Sequence, residues 1–394
     1  MFKKISLFLA MIVFSSLFFV SCEEDTLTSG DAEITSLSNV IALPGGEVTI
    51  NGSNFGDTKL ATYKVMVGTT EVTATNTTWA DDKIIIKVPG TITPSNTATY
   101  IQVVSATTSN QVTFYVGDPN PVAPTAIKAT SITDSIVHLT WTPSEDEGKA
   151  IFAGYELIMS EQGGAPLAPV AIAKNATPYE IKGLTQGTVY TFEIRGKYNA
   201  EAKNAVSIAA ASISWSPASR FDETANEVPI RVYGTQSQFG SGLSLFDETE
   251  GAPTIFKIAS SPDWQFCLYT TDGALEFGSA AAQTKYTYNA GAPRETQIAD
   301  VDIFANSLND AFLGATLNSF NFTSKVVNLN DAKYSGQDKG VVLVVRVNST
   351  TGYNYAKVLV KKVANKFLQG TGDDSYLECV VSYQKVKGVP YARF

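Results

Sequence analysis

Past residue 30 the chain is written in short apolar runs with a period of two, broken at short intervals by Gly, Asn, Asp, Ser and Pro. Such alternation predicts half-buried β-strands rather than helices. Ile136-Val137-His138-Leu139-Thr140-Trp141 is the clearest case: Val137, Leu139 and Trp141 share one face, and Ile136, His138 and Thr140 share the other. The apolar trio marks the core side, which leaves His138, the sole histidine, facing outward. Further strands are expected around Val48–Ile50, Lys83–Val88, Tyr100–Val104 and Tyr155–Ile158, and in the last third at Val228–Tyr233, Thr254–Ile258, Gln265–Tyr269, Lys285–Tyr288 and Leu377–Tyr383. Gly340–Val347, a turn over Asn348–Gly352 and the run Tyr353–Val360 predict a hairpin in the centre of a sheet. No long segment past the N-terminus has a 3.6-residue period, so the predicted class is all-β.

The N-terminus follows another pattern. Lys3 and Lys4 precede an apolar run, Ile5–Val20, interrupted only by serines. That run is shorter than the roughly 20 residues a spanning helix needs, and it leads directly into Ser21-Cys22-Glu23-Glu24-Asp25. The expectation is a cleaved signal peptide over 1–21 and a lipidated linker over 22–31. Phe18-Phe19-Val20-Ser21-Cys22 resembles a bacterial lipobox, with Phe19 where Leu is usual, which implies acylation of Cys22. The acidic residues after it resemble the surface-export signal of Bacteroidetes lipoproteins, implying an outer-membrane anchor with the body facing outward. Several buried acyl chains hold a protein far more firmly than one, so the body needs no membrane-binding face of its own.

Between 32 and 117 the motif Pro44-Gly45-Gly46-x-Val48-Thr49-Ile50-x-Gly52-x-Asn54-Phe55-Gly56, followed by Trp79, Ile84 and Val88-Pro89, resembles an IPT/TIG immunoglobulin-like domain. Residues 118–124 hold three prolines and are expected to form a semi-rigid linker. Residues 125–217, with Trp141 in an early strand and Leu184-Thr185-Gln186-Gly187-Thr188-Val189-Tyr190 later, resemble a fibronectin type III domain. In that family Tyr190 would form the tyrosine corner, and Pro often stands where this chain has Gln186. Both resemblances imply spacer or interaction modules. The full expectation is tandem immunoglobulin-like β-sandwiches followed by a larger β-rich domain over 218–394.

Composition narrows the function. The chain has 29 basic and 38 acidic residues, a net charge of −9, which repels phosphate backbones and argues against nucleic acid as a partner. Zinc-type cysteine spacing is absent, since Cys267 and Cys379 are the only cysteines besides Cys22; they are read either as one disulfide or as two buried thiols. The sequence has no Gly-x-Ser-x-Gly elbow, no His-Glu-x-x-His and no phosphate loop. Carboxylates such as Asp263, Asp272, Asp373 and Asp374 could in principle form a glycosidase pair, but acidic residues in turns are usually solvated. A non-enzymatic protein without cofactor or metal is expected.

Binding is the favoured class, and the terminal domain the favoured place. Trp264 follows the turn Ser260–Asp263, while Tyr353 and Tyr355 follow Thr350-Thr351-Gly352; these three are the residues expected to offer exposed rings for sugar stacking. In layout alone, the chain resembles surface glycan-binding lipoproteins that Bacteroidetes place beside TonB-dependent importers. That implies a polysaccharide ligand and an importer as partner. The alternative is a structural or adhesive lipoprotein whose last domain binds a protein.

Overall fold

The computed structural model describes residues 30–208, 212–260, 263–285, 295–310, 316–349 and 351–392. The signal peptide, Cys22 and most of the strand expected at Lys285–Tyr288 lie outside the described residues. The described chain is almost entirely β, with one four-residue α-helix, Ala332–Ser335, so the all-β expectation holds. No described helix is long and apolar enough to cross a membrane. The chain divides into two compact units, one ending at Pro119 and one running from Asn120 onward.

The first unit is a sandwich. A four-stranded sheet in the order Glu33–Leu37, Glu47–Ser53, Lys83–Lys87, Thr77–Trp79 faces a five-stranded sheet that includes Thr99–Val104 and Val112–Val116. Val48, Ile50, Phe55, Ile84, Ile101 and Phe114 fill the space between them. The turn motif has a physical reason. At Gly52 a Cβ would stand 1.9 Å from the Glu33 carbonyl oxygen, so only glycine lets the strands close there. The Trp79 indole donates to the carbonyls of Phe55 (3.0 Å) and Gly56 (3.1 Å), pinning the turn to the neighbouring strand.

The second unit begins with a smaller sandwich. A three-stranded sheet (Thr125–Ser131, Val137–Thr142, Tyr179–Ile181) covers a four-stranded one built on Phe152–Glu161 and Tyr190–Tyr198. Val137, Leu139 and Trp141 are buried as their spacing requires. His138 lies on the other face, where its Nε2 meets Glu180 at 3.1 Å. Part of the proline-rich stretch is docked: the Val122 amide donates to Asp146 (2.8 Å), and its carbonyl accepts from Ser144 Oγ (2.6 Å). Asp146 is buried with Lys149 (2.7 Å) and the Tyr198 hydroxyl (2.8 Å), so the desolvated carboxylate is fully supplied with donors.

The terminal part is a larger sandwich. An eight-stranded sheet contains the central hairpin, Gly340–Ser349 paired with Gly352–Val360, flanked by Tyr376–Tyr383 and then by Ile230–Tyr233 at the edge. A five-stranded sheet runs from the edge strand Ala252–Phe256 to Val326–Asn328. Leu243, Phe266, Phe277, Leu343, Val358 and Leu377 interlock between the two. Because strand residues alternate, the same register sends Arg231, Tyr233, Tyr376 and Glu378 to the outer face.

The two sandwiches of the second unit are joined by the tail. Gln384, wholly buried, donates from Nε2 to the carbonyls of Pro217 (2.9 Å) and Tyr391 (3.3 Å). Trp215 meets Tyr391 edge-on at 5.5 Å. Gln186 reaches the Tyr383 carbonyl at 3.4 Å, so the residue standing where proline is common makes a contact between the sandwiches.

Candidate functional site

At the open edge of the terminal sandwich the two edge strands, Ile230–Tyr233 and Ala252–Phe256, flank a groove of about 530 Å³. Arg231, Tyr233, Phe239, Glu250 and Thr254 line it. Phe239 is 52% exposed, an unusual state for a phenylalanine, and its ring lies 4.9 Å from Tyr233. Tyr233 in turn stands 5.6 Å from Tyr376. The three rings therefore form a connected surface rather than scattered exposed residues.

Sequence and register build this site. Tyr233 pairs with Tyr376 and Arg231 with Glu378 across the strands Ile230–Tyr233 and Tyr376–Tyr383, so two rings and an ion pair sit side by side on one face. The Arg231 guanidinium lies 4.5 Å from the centre of the Tyr376 ring and bonds Glu378 at 3.4 Å. Lys361 reaches the other oxygen of Glu378 at 3.6 Å. Partial burial works against the Arg231 charge, but the neighbouring Tyr376, Tyr233 and Glu378 outweigh it and hold its pKa above the ordinary value. Phe239 is carried by the loop after the edge strand, closed by a Tyr233 amide bond to the Gly240 carbonyl at 3.1 Å.

Of the stacking residues expected from the sequence, Tyr353 and Tyr355 share one apolar cluster while Trp264 lies in another, and two of the three are corrected. Trp264 is fully buried, packed with Ile258, Cys267 and Ala280 on the outer side of the five-stranded sheet. Gly242 makes room for it: a Cβ there would lie 2.8 Å from the indole, so the ring fills a notch instead of standing in solvent. Tyr355 is 6% exposed, covered by Leu317, Phe322 and Ala392, and offers no free ring face. Tyr353 is half-buried, with Arg346 at 4.2 Å from its ring. Phe239, Tyr233 and Tyr376 were missed. The legible signal was an aromatic set in a Gly/Ser-rich turn, Gln238-Phe239-Gly240-Ser241-Gly242, next to the alternating Arg231-Val232-Tyr233.

Of the candidate carboxylates, Asp272 and Asp373 line a smaller pocket of about 450 Å³ with Thr271 and Thr371. Asp374 accepts from Ser237 Oγ at 2.9 Å. Among the described residues no group of three His, Cys, Asp or Glu side chains is arranged to hold a metal. Cys267 and Cys379 are both buried free thiols, so the disulfide alternative gives way to the thiol one; burial pushes both pKa values up.

Comparison with known families matches residues 32–116 to the IPT/TIG domain and residues 122–209 to the fibronectin type III domain. The chain carries one of each. In the fibronectin type III domain the Thr185 amide donates to the Tyr190 hydroxyl at 3.0 Å, closing the tyrosine corner. Among curated proteins, Exoglucanase B of Cellulomonas fimi is 26% identical over 247 residues, covering 59% of this chain and 21% of that protein. Cyclomaltodextrin glucanotransferase of Paenibacillus macerans is 33% identical over 124 residues, covering 30% of this chain and 17% of that protein. The chain thus spans about a fifth of the length of these relatives. Among solved structures, a segment of titin aligns with 45% of this chain and 61% of its own at 18% identity and a TM-score of 0.31. A fibronectin type III domain of human collagen XX aligns with 25% of this chain and 94% of its own at 22% identity and a TM-score of 0.20.

Proposed function

We propose that this protein captures a glycan through its terminal sandwich, as a non-enzymatic surface lipoprotein held to the outer membrane by acylated Cys22. The observation that carries the reading is the groove lined by Arg231, Tyr233 and the exposed Phe239 ring, where Phe239 adjoins Tyr233 and, beside the groove, Tyr376 adjoins Tyr233 and Glu378 pairs with Arg231. Sugar rings present apolar faces suited to flat aromatic side chains, and their hydroxyls suit a fixed donor and acceptor alongside. Two glycan-acting enzymes among the relatives add modest support. In this role the captured polysaccharide passes to a TonB-dependent importer in the same membrane.

Affinity electrophoresis of the chain from Glu23 onward, run in gels containing different polysaccharides, tests the reading. Retardation in at least one gel is expected, and it should be abolished or strongly reduced in Phe239→Ala and Tyr233→Ala. Unchanged migration in every gel would remove glycan capture and leave adhesion to a protein partner. Separately, radiolabelled palmitate should enter the intact protein but not Cys22→Ala.

A further inference from the structure

We infer that the groove selects a neutral glycan over an acidic one, with Arg231 and Glu378 acting together on adjacent hydroxyls; this rests on the glycan reading above. A basic groove would take uronate or sulfated chains, and Arg231 considered by itself suggests one. Its surroundings do not. The charged residues lining the groove are one cation, Arg231, and one anion, Glu250; beside it Glu378 pairs with both Arg231 and Lys361, so the charges balance. Asp374, held by Ser237 on the loop that carries Phe239, tips the balance negative. The whole chain, at −9, adds a repulsive background for a polyanion.

The ion pair is placed for another use. Arg231 can only donate and ionised Glu378 can only accept, and the strand register fixes them as direct cross-strand neighbours. Two adjacent hydroxyls of a sugar ring can accept from the first and donate to the second. The pair is partly exposed, with side chains 38% and 19% accessible, and its 3.4 Å separation leaves the partners incompletely satisfied by each other. Arg231 is stacked on Tyr376, which holds the guanidinium plane in place before the ligand arrives. Tyr233 and Tyr376 form the next same-face pair along these strands, so the hydroxyl reader sits beside the rings that would take the apolar face of the sugar.

The experiment compares neutral polymers (xyloglucan, galactomannan, starch, arabinoxylan) with acidic ones (polygalacturonate, alginate, heparin) on the chain from Glu23 onward, by affinity electrophoresis and calorimetric titration. The expected result is binding to one or more neutral polymers and none to the acidic set at 20 mM salt as well as at 150 mM. Arg231→Met and Glu378→Gln should each weaken that binding by about tenfold or more, the scale of one charge-assisted hydrogen bond. Thermal melts of both variants establish that they fold, and Phe239→Ala, at an exposed position, serves as a second probe of the same groove. Equal or tighter binding of an acidic polymer would overturn the neutral selection while leaving glycan capture intact. Neutral binding untouched by Arg231→Met, Glu378→Gln and Phe239→Ala would overturn the assignment to this groove. No binding to either set would remove glycan capture itself.

Discussion

Lys357 is a charged-type side chain placed in an almost wholly buried position. It lies in the central hairpin strand Gly352–Val360, 1% exposed, between Val344 and Ser382 on the neighbouring strands. Burial brings its pKa down to about 7. Between that value and the ordinary lysine pKa the unfolded chain binds a proton that the folded chain does not, so stability rises with pH across this window, by at most about 1.4 kcal/mol per pH unit. Below pH 7 both states are protonated and the cost of the buried charge is constant. Lys357→Met removes this titration and keeps most of the side-chain volume. Urea unfolding of both proteins from pH 6 to 9.5 should show Lys357→Met ahead near pH 7, with its advantage shrinking as pH rises. An advantage that stays flat from pH 7 to 9.5 would mean that Lys357 is not neutralised by burial.

At the scale of elements, the turn between Leu184 and Tyr190 does two jobs. It closes the tyrosine corner through the Thr185 amide, and it docks on the tail. Gly187, at φ +87°, approaches Val386 so closely that a Cβ would lie 2.4 Å from a valine methyl. Gly187→Ala should therefore cost stability twice, through the left-handed backbone and through the overlap, on the order of 1–3 kcal/mol together. Adding Val386→Ala should recover only the overlap, which a double-mutant cycle measured by urea unfolding will read as a favourable coupling. Additive effects would mean that the turn and the tail do not touch in solution. The strands themselves were legible because period-two alternation reports burial directly: Val137, Leu139 and Trp141 are buried, and the hairpin after Gly340 forms. Ring exposure was not legible in the same way. Trp264 follows a turn, yet a glycine 22 residues earlier in the chain, Gly242, provides the notch that buries it. Phe239 also sits in a turn and remains 52% exposed. What decides between them is a long-range contact that local pattern does not encode.

For the molecule as a whole, the tail matters most, because it turns two sandwiches into one unit. The compact body beginning at Asn120 contains both the fibronectin type III domain and the terminal sandwich. Its joint is polar and buried: Gln384 directs its amide nitrogen to the carbonyls of Pro217 and Tyr391, while its oxygen accepts from the Val386 amide at 3.2 Å. Buried hydrogen bonds of this kind are individually modest, but leaving their partners unsatisfied costs about 1–3 kcal/mol each. The Trp215–Tyr391 contact adds an aromatic pair to the same joint. A spacer tethered only by its chain would melt independently of its neighbour, whereas a domain that shares this joint should melt with it. Calorimetry of residues 120–394 should accordingly show one cooperative transition, with calorimetric and van't Hoff enthalpies in agreement. Gln384→Ala should lower its midpoint and broaden or split it, because the joint loses its central donor while each sandwich keeps its own core. Two separate transitions in the unaltered segment would show that the fibronectin type III domain is a freely hinged spacer. A single transition would instead make that domain the rigid base on which the groove around Phe239 is held.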